Sequence, residues 1–212
     1  EPFLKAFQSN AAILHPERAR TTELGAQWQH GAWFGNATVF RQQIDNYIGY
    51  DDARQNLGKV KVAGYSASAG VRLAQSSLSL GVAQARPELN GAPLSSGEAL
   101  LLGNASGRTW VIQFDTAMPQ QHLKTGWTAR MTEQLSYVPA GERSKPGFGV
   151  HDAYVQWLPQ GKDSLSLTLS IKNLFNKHYY DQSSFGYHPR WGQIAALPES
   201  GRDVRLALAT RF

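Results

Sequence analysis

Residues 164–175 read SLSLTLSIKNLF, with Leu165, Leu167, Leu169 and Ile171 at every second position and Ser164, Ser166, Thr168, Ser170 and Lys172 between them. A period of two marks a β-strand with one apolar and one polar face, since successive side chains leave opposite sides of the pleat. The pattern recurs along the chain and predicts about ten strands. Leu24, Ala26 and Trp28 oppose Glu23, Gly25, Gln27 and Gln29; Tyr65, Ala67, Ala69, Val71 and Leu73 oppose Gly64, Ser66, Ser68, Gly70 and Arg72. Leu78, Leu80 and Val82 form another set, as do Trp110, Ile112 and Phe114. Leu123, Trp127, Ala129 and Met131 follow, then Ala153, Val155 and Trp157, and finally Val204, Leu206, Leu208 and Phe212. Residues 36–50 form a further long strand whose facing the pattern leaves open.

Alternation alone does not say which face is buried. A soluble sheet turns its apolar face to a core; a membrane barrel turns it to lipid and lines its interior with the polar face. The polar faces carry Arg72, Lys124, Arg130, Asp152, Lys172, Arg205 and Arg211, which are costly to bury unless paired or wet. Connection lengths separate the two options. HGAWFG, AQSS, AMPQQ and LPQGKD are short, and they alternate with longer segments at 51–58, 86–108, 137–146 and 181–200. Each strand reverses direction, so every short turn falls at one end and every long loop at the other. This asymmetry belongs to outer-membrane barrels, and neither a β-sandwich nor a Greek key gives a reason for it.

Composition narrows the classes further. The 212 residues are 42% hydrophobic with a mean hydropathy of −0.39, values an alternating membrane barrel shares with a soluble protein. No run approaches the ~18 apolar residues of a transmembrane helix. Cysteine is absent, which removes disulfides, thiolate metal sites and a cysteine nucleophile. The net charge is +5, but Lys and Arg are scattered without a basic run, so no footprint for nucleic acid is present. The chain opens on Glu1 without Met or a signal-like segment and is read as a processed or internal piece. Trp28, Trp33, Phe34, Trp110, Trp157, Phe175, Tyr179 and Tyr180 fall near strand ends, where a barrel carries its interfacial girdles. A terminal aromatic such as Phe212, closing an alternating strand, resembles the signal for barrel insertion.

The stretches IKNLFNKHYYD and LPESGRDVRLALATRF resemble the C-terminal end of TonB-dependent outer-membrane receptors. Asn173, Leu174, Phe175, Lys177 and Tyr179 match that family's N-L-F-D-K-x-Y motif, with Asn176 at the usual Asp position. Gly201, Arg202, Val204, Leu206 and Phe212 match its closing strand. Near the start, Asn10, Leu14, Pro16, Glu17, Glu23, Leu24 and Gly25 match N-P-x-L-x-P-E and the following E-L-G strand, with Ala11 where Pro is usual. NLGKVKVAGYSASAGVRL is similar to the next strand of the family. The resemblance implies an all-β transmembrane antiparallel barrel in the bacterial outer membrane. Residues 1–212 would form the C-terminal part of one barrel domain, roughly the last ten of about 22 strands, with the plug outside this chain.

ARPELNGAPLSS, at 85–96, and PGFGVHDAYVQWLP resemble the haem and haemophore receptors within that family. The implied function is uptake of haem as transported ligand, free or from a haem-carrier protein (haemophore), driven by the TonB energy-transducing protein through the plug. Outer-membrane lipid is the other partner. A ferric-siderophore receptor is the alternative, and a passive porin a further one that the end motifs disfavour. Haem iron takes an axial His or Tyr, and on this topology His15, Tyr187 and His188 fall on external loops. Arg190 and Trp191 would add a cation for a propionate and an aromatic surface. The resemblance implies that the family's own haem ligands lie upstream of this chain. His30 and His122 fall by the short turns, and His151 and His178 near external strand ends. His151 and Asp152 are adjacent on a strand and face opposite ways, so no catalytic dyad forms and no enzyme activity is expected.

Overall fold

A computed structural model describes residues 14–51, 53–94, 105–160, 164–188, 192–194 and 197–210. Its strands are β1 (Arg18–His30), β2 (Trp33–Asp51), β3 (Ala53–Leu73), β4 (Ser76–Leu89), β5 (Ala92–Pro93), β6 (Thr109–Met118), β7 (Leu123–Thr132), β8 (Phe148–Trp157), β9 (Leu165–Lys172), β10 (Gly186–His188), β11 (Gly192–Ile194) and β12 (Asp203–Thr210). Ten of them form one antiparallel sheet, in the order β1-β2-β3-β4-β6-β7-β8-β9-β12 with β5 paired to β4. β10 and β11 form a separate hairpin. Among the described residues β1 and β12 are open edges, and the sheet does not close on itself. No helix among them is long and apolar enough to cross a membrane.

Register carries the alternation intact from strand to strand. Leu24 pairs with Val39 and Val39 with Tyr65; Leu80 pairs with Ile112, and Ile112 with Ala129; Val155 pairs with Leu169, and Leu169 with Leu206. One side of the sheet is therefore a continuous aliphatic band. Among the described residues no second layer covers it. In the middle of the sheet Leu80 stays 45% exposed, Val155 43% and Leu169 43%, whereas a sandwich core would bury these side chains. The opposite face presents Ser66, Ser68, Gln113, Thr128, Thr168 and Ser170, with Arg72, Lys124 and Arg205 among them.

Short turns do gather at one end. Gly31 and Ala32 close β1 to β2, with Gly31 at φ 57°, and Ala74 and Gln75 close β3 to β4. A 3₁₀ turn, Pro119–Gln121, joins β6 to β7, and the Leu158 N–H after β8 donates to the carbonyl of His122. At the other end lie, among the described residues, 94, 105–108, 133–147, 173–188, 192–194 and 197–202. One expectation is corrected. Residues 51 and 53–58 are not a loop, because β2 and β3 stay paired out to Asp51 and Ala53 and project past the sheet as a ribbon. With 19 and 21 residues they exceed the ~9–11 that span a bilayer. A bulge between Ile44 and Tyr47, with Asn46 at φ 57°, marks where the ribbon departs.

The aromatic expectation divides. Trp28, Trp33 and Trp157 sit about half exposed on the aliphatic side beside the short turns, and Phe175 stands 67% exposed at the other end. Phe34 and Tyr179 are not girdle residues. Phe34 lies on the polar face, 4.1 Å beneath the Arg72 guanidinium, and Tyr179 packs on Phe148 at 4.7 Å. Several aromatics are set directly opposite glycine: Trp28 faces Gly35, Phe34 faces Gly70, Phe40 faces Gly64 and Tyr154 faces Gly126. In each pair a Cβ on the glycine would collide with the ring, so the ring lies over bare backbone.

The band predicts an asymmetric response to charge. Leu80→Arg in the protein reconstituted in lipid should cost about 2–4 kcal/mol, as for a cation at the bilayer midplane, while Ser79→Arg on the polar face should cost much less. Urea titration of the folded fraction checks both.

Candidate functional site

The polar face hollows into a cavity of about 390 Å³ near the long-loop end, between β6, β7, β8, β9 and β12. Arg130, Lys172 and Arg205 line it together with Asp152, Glu199 and Asp203, and Tyr179 supplies an aromatic wall. Mixed charge of this kind suits a wet surface that holds a polar or ionic group. The Asp152 carboxylate accepts the Asn173 N–H at 2.8 Å, fixing the end of β9 to β8. His151, its neighbour, leaves the aliphatic side, stacks on Trp127 at 5.5 Å and meets Phe175 edge-on at 4.9 Å. The two residues do face opposite ways.

Amide side chains hold the loops around this cavity. Asn173, buried and at φ 50°, accepts the Lys177 N–H at 2.7 Å and donates to the carbonyls of Lys177 and Ser200. Asn176 accepts the Arg202 N–H at 2.9 Å, a role the usual Asp would fill equally well. The N-L-F motif is thus a clasp that joins the end of β9 to the entry of β12. Gln182 is the second clasp and is almost fully buried. Its Oε1 accepts the Gly107 N–H at 2.7 Å, and its Nε2 donates to the carbonyls of Glu133 at 2.8 Å and Pro146 at 3.0 Å. One side chain therefore ties the β9–β12 loop to the segments before β6, after β7 and before β8.

Charge reinforces the clasp. Lys145, also buried, donates to the Gln182 carbonyl at 3.0 Å. Burial pushes its ammonium below the usual lysine range, against the pull of Glu142 and Asp181. For Asp181 burial alone would raise the carboxyl, but the Ser183 hydroxyl and N–H and the Arg130 guanidinium 3.5 Å away hold it below its ordinary value. Arg130 in turn lies 5.0 Å over the Phe148 ring.

His15 is exposed and its backbone is pinned, with the N–H donating to Asn56 Oδ1 at 2.8 Å and the carbonyl accepting from Asn56 Nδ2 at 2.9 Å. Asn46 reaches the Pro16 carbonyl, and the Glu17 carboxylate accepts the Ile48 N–H at 2.7 Å beside the bulge. The P-E motif is thereby a dock onto the β2–β3 ribbon. Tyr187 and His188 lie in the β10–β11 hairpin, paired with Gln193 and Gly192. Arg190 and Trp191 lie outside the described residues. His15 stands by the β1 edge of the sheet and the hairpin falls in the connection to the β12 edge, so the sheet order separates them. Residue-type reasoning missed Asn56, Gln182 and Lys145. A lone amide or lysine in a polar loop carries no periodic signal, and only the partners brought by the fold reveal its role.

Known proteins agree with this architecture. Residues 4–174 match the family model described as TonB dependent receptor-like, beta-barrel. "Heme transporter BhuA" of Brucella abortus (strain 2308) is 24% identical over 207 residues, covering 93% of this chain and 30% of the relative. "TonB-dependent heme receptor A" of Haemophilus influenzae is 24% identical over 104 residues, 45% of this chain and 13% of its own. Among solved structures, the FrpB iron transporter from Neisseria meningitidis (F3-3 variant) superposes with a TM-score of 0.79 at 32% identity, over 94% of this chain and 31% of that one. The chain thus spans about a third of the length of these first relatives.

The clasp should respond to substitution and to acid. Gln182→Leu leaves buried backbone groups without partners and should cost about 1–3 kcal/mol for each one lost. Hydrogen exchange at Gly107 should speed up accordingly. Because the Asp181 carboxyl is held low, its contribution is complete above the ordinary carboxylate range and is lost as pH falls through its lowered value. Exchange of the Ser183 amide at falling pH, corrected for intrinsic rates, should reveal that opening, and Asp181→Asn should abolish the pH dependence.

Proposed function

The chain belongs to the TonB-dependent receptor β-barrel family, and we propose on that premise that it is the wall segment of a haem-uptake receptor. The family resides in the outer membrane of Gram-negative bacteria, and its members are transporters rather than enzymes. In this reading the aliphatic band meets lipid and the polar face lines a wet lumen. The open edges at β1 and β12 pair with further strands, as an unpaired edge in hydrocarbon would leave its backbone groups unsatisfied. A plug inside that barrel couples to the TonB energy-transducing protein. Residues 1–212 are one stretch of a single barrel domain.

Similarity to relatives named heme transporter over 93% of the chain carries the haem assignment. The chemistry on the long-loop side is compatible with it. His15 offers an exposed imidazole on a pinned backbone, and the β10–β11 hairpin brings Tyr187 and His188, with Arg190 in the same segment as a cation for a propionate. A haem-carrier protein docking on these loops would deliver the ligand. A ferric-siderophore receptor is the second reading, and likeness to the FrpB iron transporter at 32% identity supports iron uptake in either case.

Haem titration of the full-length receptor, followed by absorbance, separates the readings. A Soret shift in the wild type that is lost in His15→Ala or His188→Ala supports haem ligation from this wall. No Soret shift favours a ferric siderophore. A shift unchanged in both variants assigns the ligands to other parts of the receptor.

A further inference from the structure

The inward phase of β6–β9 and β12 breaks its own pattern at one place. Among its residues larger than alanine only Val111 and Val150 are aliphatic, and the two flank Arg130 in a single register row. Phe148 stands two residues before Val150 on the same face, with the Arg130 guanidinium 5.0 Å over its ring. A wet lumen gives no reason to gather such side chains. Yet Phe148 and Val150 are buried, at 8% and 7% exposure. They are covered from the inward side.

The cover is the segment 177–182. β9 and β12 pair with each other, Lys172 opposite Asp203, so their connection could close directly above them. Instead it runs back across the inner rim. Tyr179 packs on Phe148 of β8, Asp181 meets Arg130 of β7, and Gln182 takes the Gly107 N–H ahead of β6. That crossing spans three strand spacings, about 14 Å. The returning chain is tied to it, since the Tyr179 carbonyl accepts the Glu199 N–H at 3.0 Å. The cavity between Arg130, Asp152, Lys172 and Arg205 is therefore roofed by Tyr179 and Glu199. The crossing is fastened as an interior is fastened. Both ends of the buried Gln182 amide are satisfied, and the buried Lys145 ammonium donates to the Gln182 carbonyl. Lifting it would strand those groups and bare Phe148 and Val150 to water.

We propose, on the reading that the polar face lines a lumen, that 177–182 is a permanent strap across the inner rim and Gln182 its positioning residue. The strap closes the lane down β6–β9 to cargo and confines entry to the other sectors of the mouth. It stays seated whether or not ligand is bound.

Thiol accessibility tests this, as the chain has no cysteine of its own. V150C lies under the strap, and S66C is exposed on the inward side of β3, away from it. The reagent is a charged, membrane-impermeant methanethiosulfonate, applied to whole cells carrying the full-length receptor with any other cysteine replaced. V150C should label at least about tenfold more slowly than S66C, as for a site reached only by local opening. Saturating haem should leave that ratio unchanged. Q182L should speed V150C labelling about tenfold, because stranded buried groups weaken the seat, and should leave S66C as it was. Should Q182L not assemble, Y179A, which removes the ring from Phe148, must speed V150C labelling in its place. Equal rates at V150C and S66C, a haem-dependent change at V150C, an equal rise at both sites, or no rise in either variant overturns the strap. L169C, on the aliphatic side, tests the underlying reading separately: its labelling by the charged reagent, with none at S66C, removes the lumen assignment itself.

Discussion

At hydrocarbon depth a backbone N–H or C=O has no water to turn to, so each must find its partner inside the sheet. That requirement organises the whole chain. From β1 to β4 and on through β12 the ladder runs in unbroken register across the aliphatic band, and the bulge between Ile44 and Tyr47 falls beyond it. Once the backbone is satisfied by neighbours, the side chains are free to sort by solvent alone. Leucine, valine and tryptophan go to the outward side, serine, threonine and charge to the inward side, with no second layer needed. The usual logic of a buried core is reversed. Few apolar residues are buried among the described ones, and several of these, such as Leu135, Phe148 and Val150, lie toward the long-loop end rather than in the middle of the sheet.

Where the ladder stops, amide side chains take over its work. Asn56, Asn90, Asn173 and Gln182 each bond two or more backbone groups that the sheet leaves unpaired. An amide carries both a donor and an acceptor and brings no charge to bury, which suits it to imitate a strand neighbour at an irregular end. Asn90 shows the fit. It closes the β4–β5 turn at φ 53° and reaches β3 at Leu57 and Lys59, beside a glycine whose Cβ would strike its side chain. Loops fastened in this way can be long and still present side chains at set positions.

Most of the fold was legible in the chain because the two-residue period survives in nearly every strand and the turn lengths alternate in step with it. The β2–β3 ribbon was not, because Asp51, Arg54, Gln55 and Asn56 carry turn-like polarity while their backbone stays paired. Polarity on both faces is what a strand shows once it leaves the membrane for water. Facing of Phe34 and Tyr179 was hidden for a related reason: position near a strand end does not say on which side an aromatic stands. The candidate ligand residues were legible only as residue types on external loops. His15 could be seen as exposed chemistry, but the amides that hold its backbone became visible only with the register.

The opposed ring and glycine pairs bear on how far the polar face projects from its backbone. With Phe34 over Gly70, Phe40 over Gly64 and Tyr154 over Gly126, bulky groups on the inward side lie along the wall instead of reaching toward the axis. Clearance at those heights is then governed by backbone curvature and not by side-chain reach. A wall lined in this manner keeps its clearance while gaining stiff, greasy plates, without a single ring having to swing aside.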